Sequence, residues 1–279
     1  MREATQMAIT ISNSFITQFS ADVKHDYQLE SKLYAHVRKR TGVVGSDTKF
    51  QRLGAIAAYS KTRNADLTVL EPAHSQVTVT LADKYATVLC DDLDLLKTSV
   101  DIKREYVKVV SKALAKAQDE IILAALAAGS ITATTNSGPL TIARLTEIKR
   151  IFDNNAVDAS DRIMVIGGAG MEDLLGETKV TSSDYANVKA LVMGDVDTFM
   201  GFKFVQVPDA YLTLNTTPTP DTRLCFAFHK DALGVAVGSE LRTSIEWSPD
   251  KHAWWVKGVL SMGAGIVDTT GVLEFEVDI

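Results

Sequence analysis

The chain has 279 residues, with 29 Lys and Arg against 35 Asp and Glu, for a formal charge of −6. Hydrophobic residues make up 46% and charged residues 23%, a balance that sets wholesale disorder aside and leaves room for one or two domains of about 150 residues. The mild acidity argues against a dedicated nucleic-acid binder, which carries a basic surplus, and two cysteines, Cys90 and Cys225, exclude a disulfide scaffold or a CxxC motif.

Reduced thiols in a cytoplasmic setting are the simplest expectation. Met1 to Ile11 lacks an apolar stretch suited to a signal peptide. In the uncharged region 121–143 the apolar part, Ile121 to Ala128, falls far short of the roughly 20 residues a membrane helix needs. A soluble protein without a membrane partner is expected.

Residues 13–40 read as helical, with Phe15, Phe19, Val23, Tyr27, Leu29, Leu33 and Val37 near three- and four-residue spacing. Arg38, Lys39 and Arg40 suit a helix C-terminus before Thr41-Gly42; the competing reading is a nucleic-acid contact. Next, Val77, Val79, Leu81, Tyr85 and Leu89 alternate with Thr78, Thr80, Lys84 and Val88, a strand with a soft spot at Asp83. Thr48 to Tyr59 is its expected antiparallel partner. Ser60 to His74, carrying Lys61, Arg63, Asp66, Glu71 and Pro72, forms the loose tip of the resulting arm. A two-stranded arm is marginal alone and lacks a second layer on which to bury a face. It must fold back on its own domain or rest on a neighbouring molecule.

From Asp101 to Ala128 the pattern is a helix of roughly 40 Å, capped by Thr98 or Ser99. Ile102, Tyr106, Val109, Val110, Ala113, Leu114, Ala117, Ile121 and Ala124 mark its apolar stripe. Opposite, Arg104, Lys108, Lys112 and Lys116 recur every four residues beside Lys103. They form either a solvated face balanced by Glu105, Asp119 and Glu120, or a strip facing polyanionic nucleic acid without sequence preference. After a Thr/Ser/Gly loop, Ser130 to Pro139, come a helix from Thr141 to Asn154 and a buried strand, Arg162 to Ile166. A short helix near Met171 to Leu175, a strand from Phe199 to Val207 and a surface loop from Thr213 to Thr222 follow. The last residues read as antiparallel strands: Leu224–Phe228, Leu233–Val237, then a hairpin of Leu241–Trp247 and Ala253–Ser261 around Pro249, and finally Val272–Val277.

The motifs of chemistry are incomplete. Gly167-Gly168-Ala169-Gly170 sits between a strand and a helix, but the dinucleotide fingerprint needs glycine where Asp173 stands, so a tight turn is expected. Glu177 after Gly176 breaks a phosphate loop. A calcium loop begun at Asp92 fails at Leu96, Lys97 and Lys103, leaving Cys90-Asp91-Asp92-Leu93-Asp94 as a polar join. His25, His36, His74, His229 and His252 lack metal-ligand spacing, no GxSxG surrounds a serine, and Cys90 with a distant histidine is a pair any protein offers. No catalytic residue, cofactor or metal is expected.

The order of parts, with Lys49-Phe50-Gln51-Arg52-Leu53-Gly54, Thr80-Leu81-Ala82-Asp83-Lys84-Tyr85 and Ala227-Phe228-His229-Lys230-Asp231-Ala232-Leu233, resembles the major capsid proteins of tailed double-stranded DNA bacteriophages, the Hong Kong 97-type fold. The resemblance covers about residues 13–279 and rests on element order and local wording. It implies an α+β fold: an N-terminal arm over 1–41, an extended β loop over 42–89, a spine helix within 90–138, an axial α/β domain over 139–222 and C-terminal strands over 223–279, shared between axial and peripheral domains. The implied function is a non-enzymatic subunit that assembles with itself, as hexamers and pentamers, into an icosahedral shell around double-stranded DNA in the host cytoplasm. Lys61, Arg63, Asp66 and Glu71 would lie at the inter-subunit arm, and Arg104, Lys108, Lys112 and Lys116 would face DNA. Scaffold, portal and decoration proteins are further implied partners, and the little chain ahead of the arm implies a processed form or a separate scaffold. The Lys–Asn crosslink of some members has no match here. An encapsulin-type compartment shell, with the same fold around protein cargo, is the alternative; a soluble α/β enzyme using the Gly167–Gly170 turn is the third reading.

Overall fold

The computed structural model describes residues 30–97, 101–132, 138–176, 198–217 and 220–279. Leu33 and Val37 are buried four residues apart, as the expected helix required. The chain there nevertheless makes a single 3₁₀ turn, Tyr34–His36, and extends into β1 (Arg38–Thr41). β1 lies parallel to the strand that starts at Leu233, with Arg38 opposite Gly234 and Thr41 opposite Val237. Arg38, Lys39 and Arg40 are therefore exposed strand residues, not helix-end cations. Pairing with so distant a partner overrides the local period. Residues 13–29 of the expected helix lie outside the described residues.

Gly42 and Gly45, at φ +70° and +111°, turn the chain into β2 (Asp47–Leu53) through backbone that favours glycine. β2 pairs antiparallel with β3 (His74–Thr80), Asp47 opposite Thr80 and Leu53 opposite His74. The strand expected over Val77 to Leu89 is two strands. It breaks at Leu81, whose N–H donates to the Ser46 carbonyl at 2.8 Å, and β4 (Ala82–Asp91) joins a different sheet. Asp83 is no soft spot, because its carboxylate accepts from Ser261 Oγ at 2.6 Å within the paired strand. The base of the arm folds back on its own body: Phe50 and Val79 are buried with Ala236 and Val267, and Arg52 pairs with Asp268 at 3.0 Å.

Beyond α1 (Asp92–Lys97), α2 (Ile102–Ala127) begins at Asp101, whose side chain accepts from Arg104 N. Thr98 and Ser99, the expected caps, lie outside the described residues. The buried side of α2 is Val110, Leu114, Ala115, Gln118, Asp119, Ile122, Leu123 and Leu126, which shares only Val110 and Leu114 with the expected stripe. Ala113 and Ala124 are exposed; alanines have too little surface to mark a side.

The chain continues through β5 (Ile131–Thr132), α3 (Ile142–Asn154), β6 (Arg162–Ile166), α4 (Gly168–Gly176), β7 (Lys203–Gln206), β8 (Leu214–Asn215), β9 (Thr222–His229), β10 (Leu233–Ser248), β11 (Ala253–Ile266) and β12 (Val272–Asp278). Strand β7 is shorter than expected, because Phe199 and Phe202 bridge across a turn at Met200-Gly201. The loop expected over Thr213 to Thr222 contains β8, which pairs with the start of β9. Leu233–Val237 and Leu241–Trp247 are one strand, irregular between Val237 and Arg242.

Among the described residues strand order defines three sheets: β1-β10-β11-β4, then β5-β12-β9-β6-β7 with β8 beside β9, and the β2-β3 arm. The C-terminal strands thus divide between two sheets, as β10 and β11 pair with β4 while β12 returns to β9. One core joins both: Leu114, Ile122 and Leu126 of α2, Leu145, Ile148 and Phe152 of α3, all-buried β6, and Phe226, Phe228 and Phe275. α2 approaches β11 at Gly258, where an added Cβ would fall 2.4 Å from Val110 Cγ1 and 2.7 Å from Leu114 Cδ1. Gly258→Ala should therefore cost about 1–3 kcal/mol, the range of an overpacked core. A denaturant midpoint equal to that of the parent protein would contradict this close approach.

Candidate functional site

The distal arm, residues 54–73, has no regular structure apart from a turn at Arg63-Asn64. Its crossing is held by Tyr59, whose hydroxyl donates to the Thr68 carbonyl at 2.8 Å. Lys61, Arg63, Asp66 and Glu71 are all exposed, and among the described residues their side chains make no ion pair or hydrogen bond. Sequence reasoning singled out these charges but passed over their apolar neighbours. Ile56, Leu67 and Val69 are 58%, 75% and 84% exposed. An isolated exposed apolar residue is ordinary; here several fall on one segment without regular structure.

On α2, Arg104, Lys108 and Lys116 are exposed and Lys112 is half-buried. Lys108 Nζ lies 2.9 Å from Glu105 Oε1, and Lys116 Nζ 3.5 Å from Glu120 Oε1 and 5.0 Å from the Tyr211 ring centre. Exposed pairs of this kind are worth about 0–1 kcal/mol each, so they leave the ridge open to a stronger polyanion. Asp119 does not balance the ridge as expected. It is 3% exposed and accepts from Ser31 Oγ at 2.7 Å and from the backbone N–H groups of Lys32 and Leu33 at 3.2 Å. Burial pushes its carboxyl above the usual range, although the three donors pull the other way. Asp119 is the anchor that fastens the N-terminal end of the described chain to α2.

All three tryptophans of the sequence gather where β10 turns into β11. Pro249–Lys251 form a 3₁₀ turn closed by His252 in the left-handed region. Trp247 meets Trp254 and His252 edge-on, at ring-centre distances of 5.2 and 5.1 Å. Lys103 lies 3.5 Å over Trp254, and Lys257 lies 4.6 Å over Trp255 while also pairing with Glu246. Trp247 itself stays exposed. The signal was available in the sequence as three indoles flanking one turn.

The glycine turn has a structural role. An added Cβ at Gly167 would fall 1.8 Å from Asp209 Oδ1, so a carboxylate packs where a dinucleotide phosphate would need to enter. Asp91 Oδ1 accepts from Leu93 N at 2.8 Å and Asp92 Oδ1 from Trp254 Nε1 at 3.2 Å; these acids shape the join into α1. No group of three potential metal ligands converges among the described residues. Burial pushes the Cys225 thiol up to about 12 and raises Cys90 as well, opposite to the activation a nucleophilic thiolate needs. No helix among the described residues is long and apolar enough to cross a membrane.

Comparison with known proteins gives the same architecture. The model of the phage capsid protein family matches residues 11–278. The major capsid protein of Escherichia phage T7 is 25% identical over 224 residues, 70% of this chain and 65% of that protein. The minor capsid protein of the same phage matches with 25% identity over 56% of its length. This chain therefore spans less than two thirds of the curated relatives it matches. The capsid structure of Cyanophage P-SCSP1u superposes with a TM-score of 0.76 at 17% identity, covering 95% of this chain and 94% of that one. The acidic stable capsid structure of Helicobacter pylori bacteriophage KHP30 gives 0.73 at 10% identity over the whole of both chains. These likenesses establish a shared α+β fold, and with a family match running almost from end to end the chain belongs to the phage capsid protein family.

Proposed function

We propose that this chain is the major shell subunit of a tailed phage, assembling with copies of itself around double-stranded DNA. The observation that carries the reading is the distal arm. Its base is packed by Phe50 and Val79, yet Ile56, Leu67 and Val69 beyond it have no layer of their own. A neighbouring copy supplies that layer, with Lys61, Arg63, Asp66 and Glu71 fixing the register of the contact. A closed shell repeats such heterologous contacts through hexamers and pentamers, and multiplicity gives strength while each contact stays weak enough to correct. Scaffold, portal and decoration proteins are the remaining partners of such a shell, and the virion capsid is its location.

The basic ridge of α2 adds the second part. Arg104, Lys108, Lys112 and Lys116 present cations at helical spacing, suited to loose contact with packaged DNA, and the acidity of the whole chain limits binding to free nucleic acid. The encapsulin-type alternative shares the fold, but the family match and the curated relatives favour the phage reading.

Negative-stain electron microscopy of the purified protein should show shells, tubes or capsomers; a monodisperse monomer at every concentration would contradict the reading. Replacing residues 60–70 by a short Gly-Ser link should leave the folding midpoint within about 0.5 kcal/mol, as expected for a surface change, while particle yield falls sharply. Unchanged yield would show that the tip bridges nothing. Reversing Lys108, Lys112 and Lys116 to Glu should permit empty shells and reduce DNA-filled ones, measured as nuclease-protected DNA per particle. Normal filling would leave the ridge as a solvated face.

A further inference from the structure

Away from the arm, a cavity of about 330 Å³ opens where β6 and β7 begin and β9 ends, lined by His36, Ser160, Asp161, Arg162, Lys203 and Lys230. Separate segments supply it: the turn before β1, the turn before β6, the first residue of β7 and the turn after β9. Arg162 is already committed, to Asp153 at 2.7 Å and to the carbonyls of Val157 and Asp158 at 2.6 and 2.8 Å. Lys203 and Lys230 are not. Among the described residues neither ammonium group has an ion pair or hydrogen bond, and the carboxylate of Asp161, the acid lining the cavity, pairs with neither. The Asp161 carbonyl instead accepts the Lys230 backbone N–H at 3.1 Å.

His36 shares this field. Burial, and then the charges of Lys203 and Lys230, hold its imidazole below the usual range; Lys39 adds to the effect and Asp161 opposes it. Both lysine charges therefore repel a proton placed on the ring. An anion entering the cavity relieves that repulsion. A tetrahedral dianion fits better than a planar carboxylate, because its oxygens accept from several directions and its charge matches two lysines, which bind phosphate as point charges.

We propose that this cavity is a phosphoryl-binding site, in which Lys203 and Lys230 neutralise the anion while His36 and Ser160 hydrogen-bond to its oxygens. The inference goes beyond the shell reading and does not depend on it. The phosphoryl group can come from a free phosphate compound or from a nucleic-acid backbone, which offer the same chemistry.

Isothermal titration of the purified full-length protein with inorganic phosphate, at ionic strength held constant with chloride, should show saturable binding. Affinity should fall by about tenfold or more in Lys203→Gln/Lys230→Gln, the scale of losing hydrogen bonds to charged groups. A short DNA duplex that competes with phosphate supports the site and identifies the backbone as the source; phosphate binding without competition supports it and identifies a small molecule. Binding that is absent, or unchanged in the double variant, overturns the proposal. A second measurement needs no variant: saturating phosphate should raise the titration midpoint of His36, read by ring-labelled histidine NMR. A midpoint that stays in place overturns the proposal as well.

Discussion

The arm sets the constraint that the rest of the molecule answers to. A two-stranded ribbon has two faces and no layer to bury either of them. In this chain the problem is solved for half its length. Near the body, Phe50 and Val79 fill a pocket with Ala236 and Val267, and Arg52 ties the ribbon to Asp268. Gly263 permits the approach, since a Cβ there would stand 2.1 Å from the Thr80 carbonyl oxygen. Past Leu53 the solution stops, and apolar side chains stand in water. The ribbon is thus packed at its base and exposed at its tip.

The body and the base of the arm are packed together. α2 lies against β11 and β4, and the break at Leu81 hands the chain from the arm directly to β4. Sheet, helix and arm base are therefore in contact, although the arm remains a sheet of its own. Asp119 fastens the N-terminal end of the described chain to α2 by a buried carboxylate with several donors. A rigid body with soft, exposed extensions suits repeated assembly, because the cost of ordering falls on the contact segments alone.

The parts legible in the sequence were those whose signals are local. The helix expected from Thr141 to Asn154 is α3, with Thr141 as its cap and Leu145, Ile148 and Phe152 buried, and the run Arg162 to Ile166 is β6, because such signals act within a few residues. The Gly167–Gly170 turn is legible as well, because it lies between a strand and a helix and Asp173 stands where the dinucleotide fingerprint needs glycine. What escaped the sequence was decided at a distance. Arg38–Thr41 look like the end of a helix until β10 pairs with them. Leu81 keeps the phase of Val77 and Val79, but β4 turns Ala86, Val88 and Cys90 inward and leaves the expected inward residues Tyr85 and Leu89 exposed, an inversion that follows from the change of partner. Asp119 carries the same charge as its surface neighbour Glu120 and differs from it only in what folds over it. For the candidate site, charge drew attention to Lys61, Arg63, Asp66 and Glu71, while the apolar residues between them were unremarkable until their exposure was seen. The order of elements is more informative than any one motif, since the family match rests on the run of residues 11–278 and not on a single signature.

The central claim is that the distal arm completes its packing on another copy. Hydrogen–deuterium exchange of residues 54–73, compared between dissociated subunits and assembled particles, tests it directly. The account predicts that these backbone amides exchange freely in the subunit and become protected on assembly. Equal exchange in both states would contradict it.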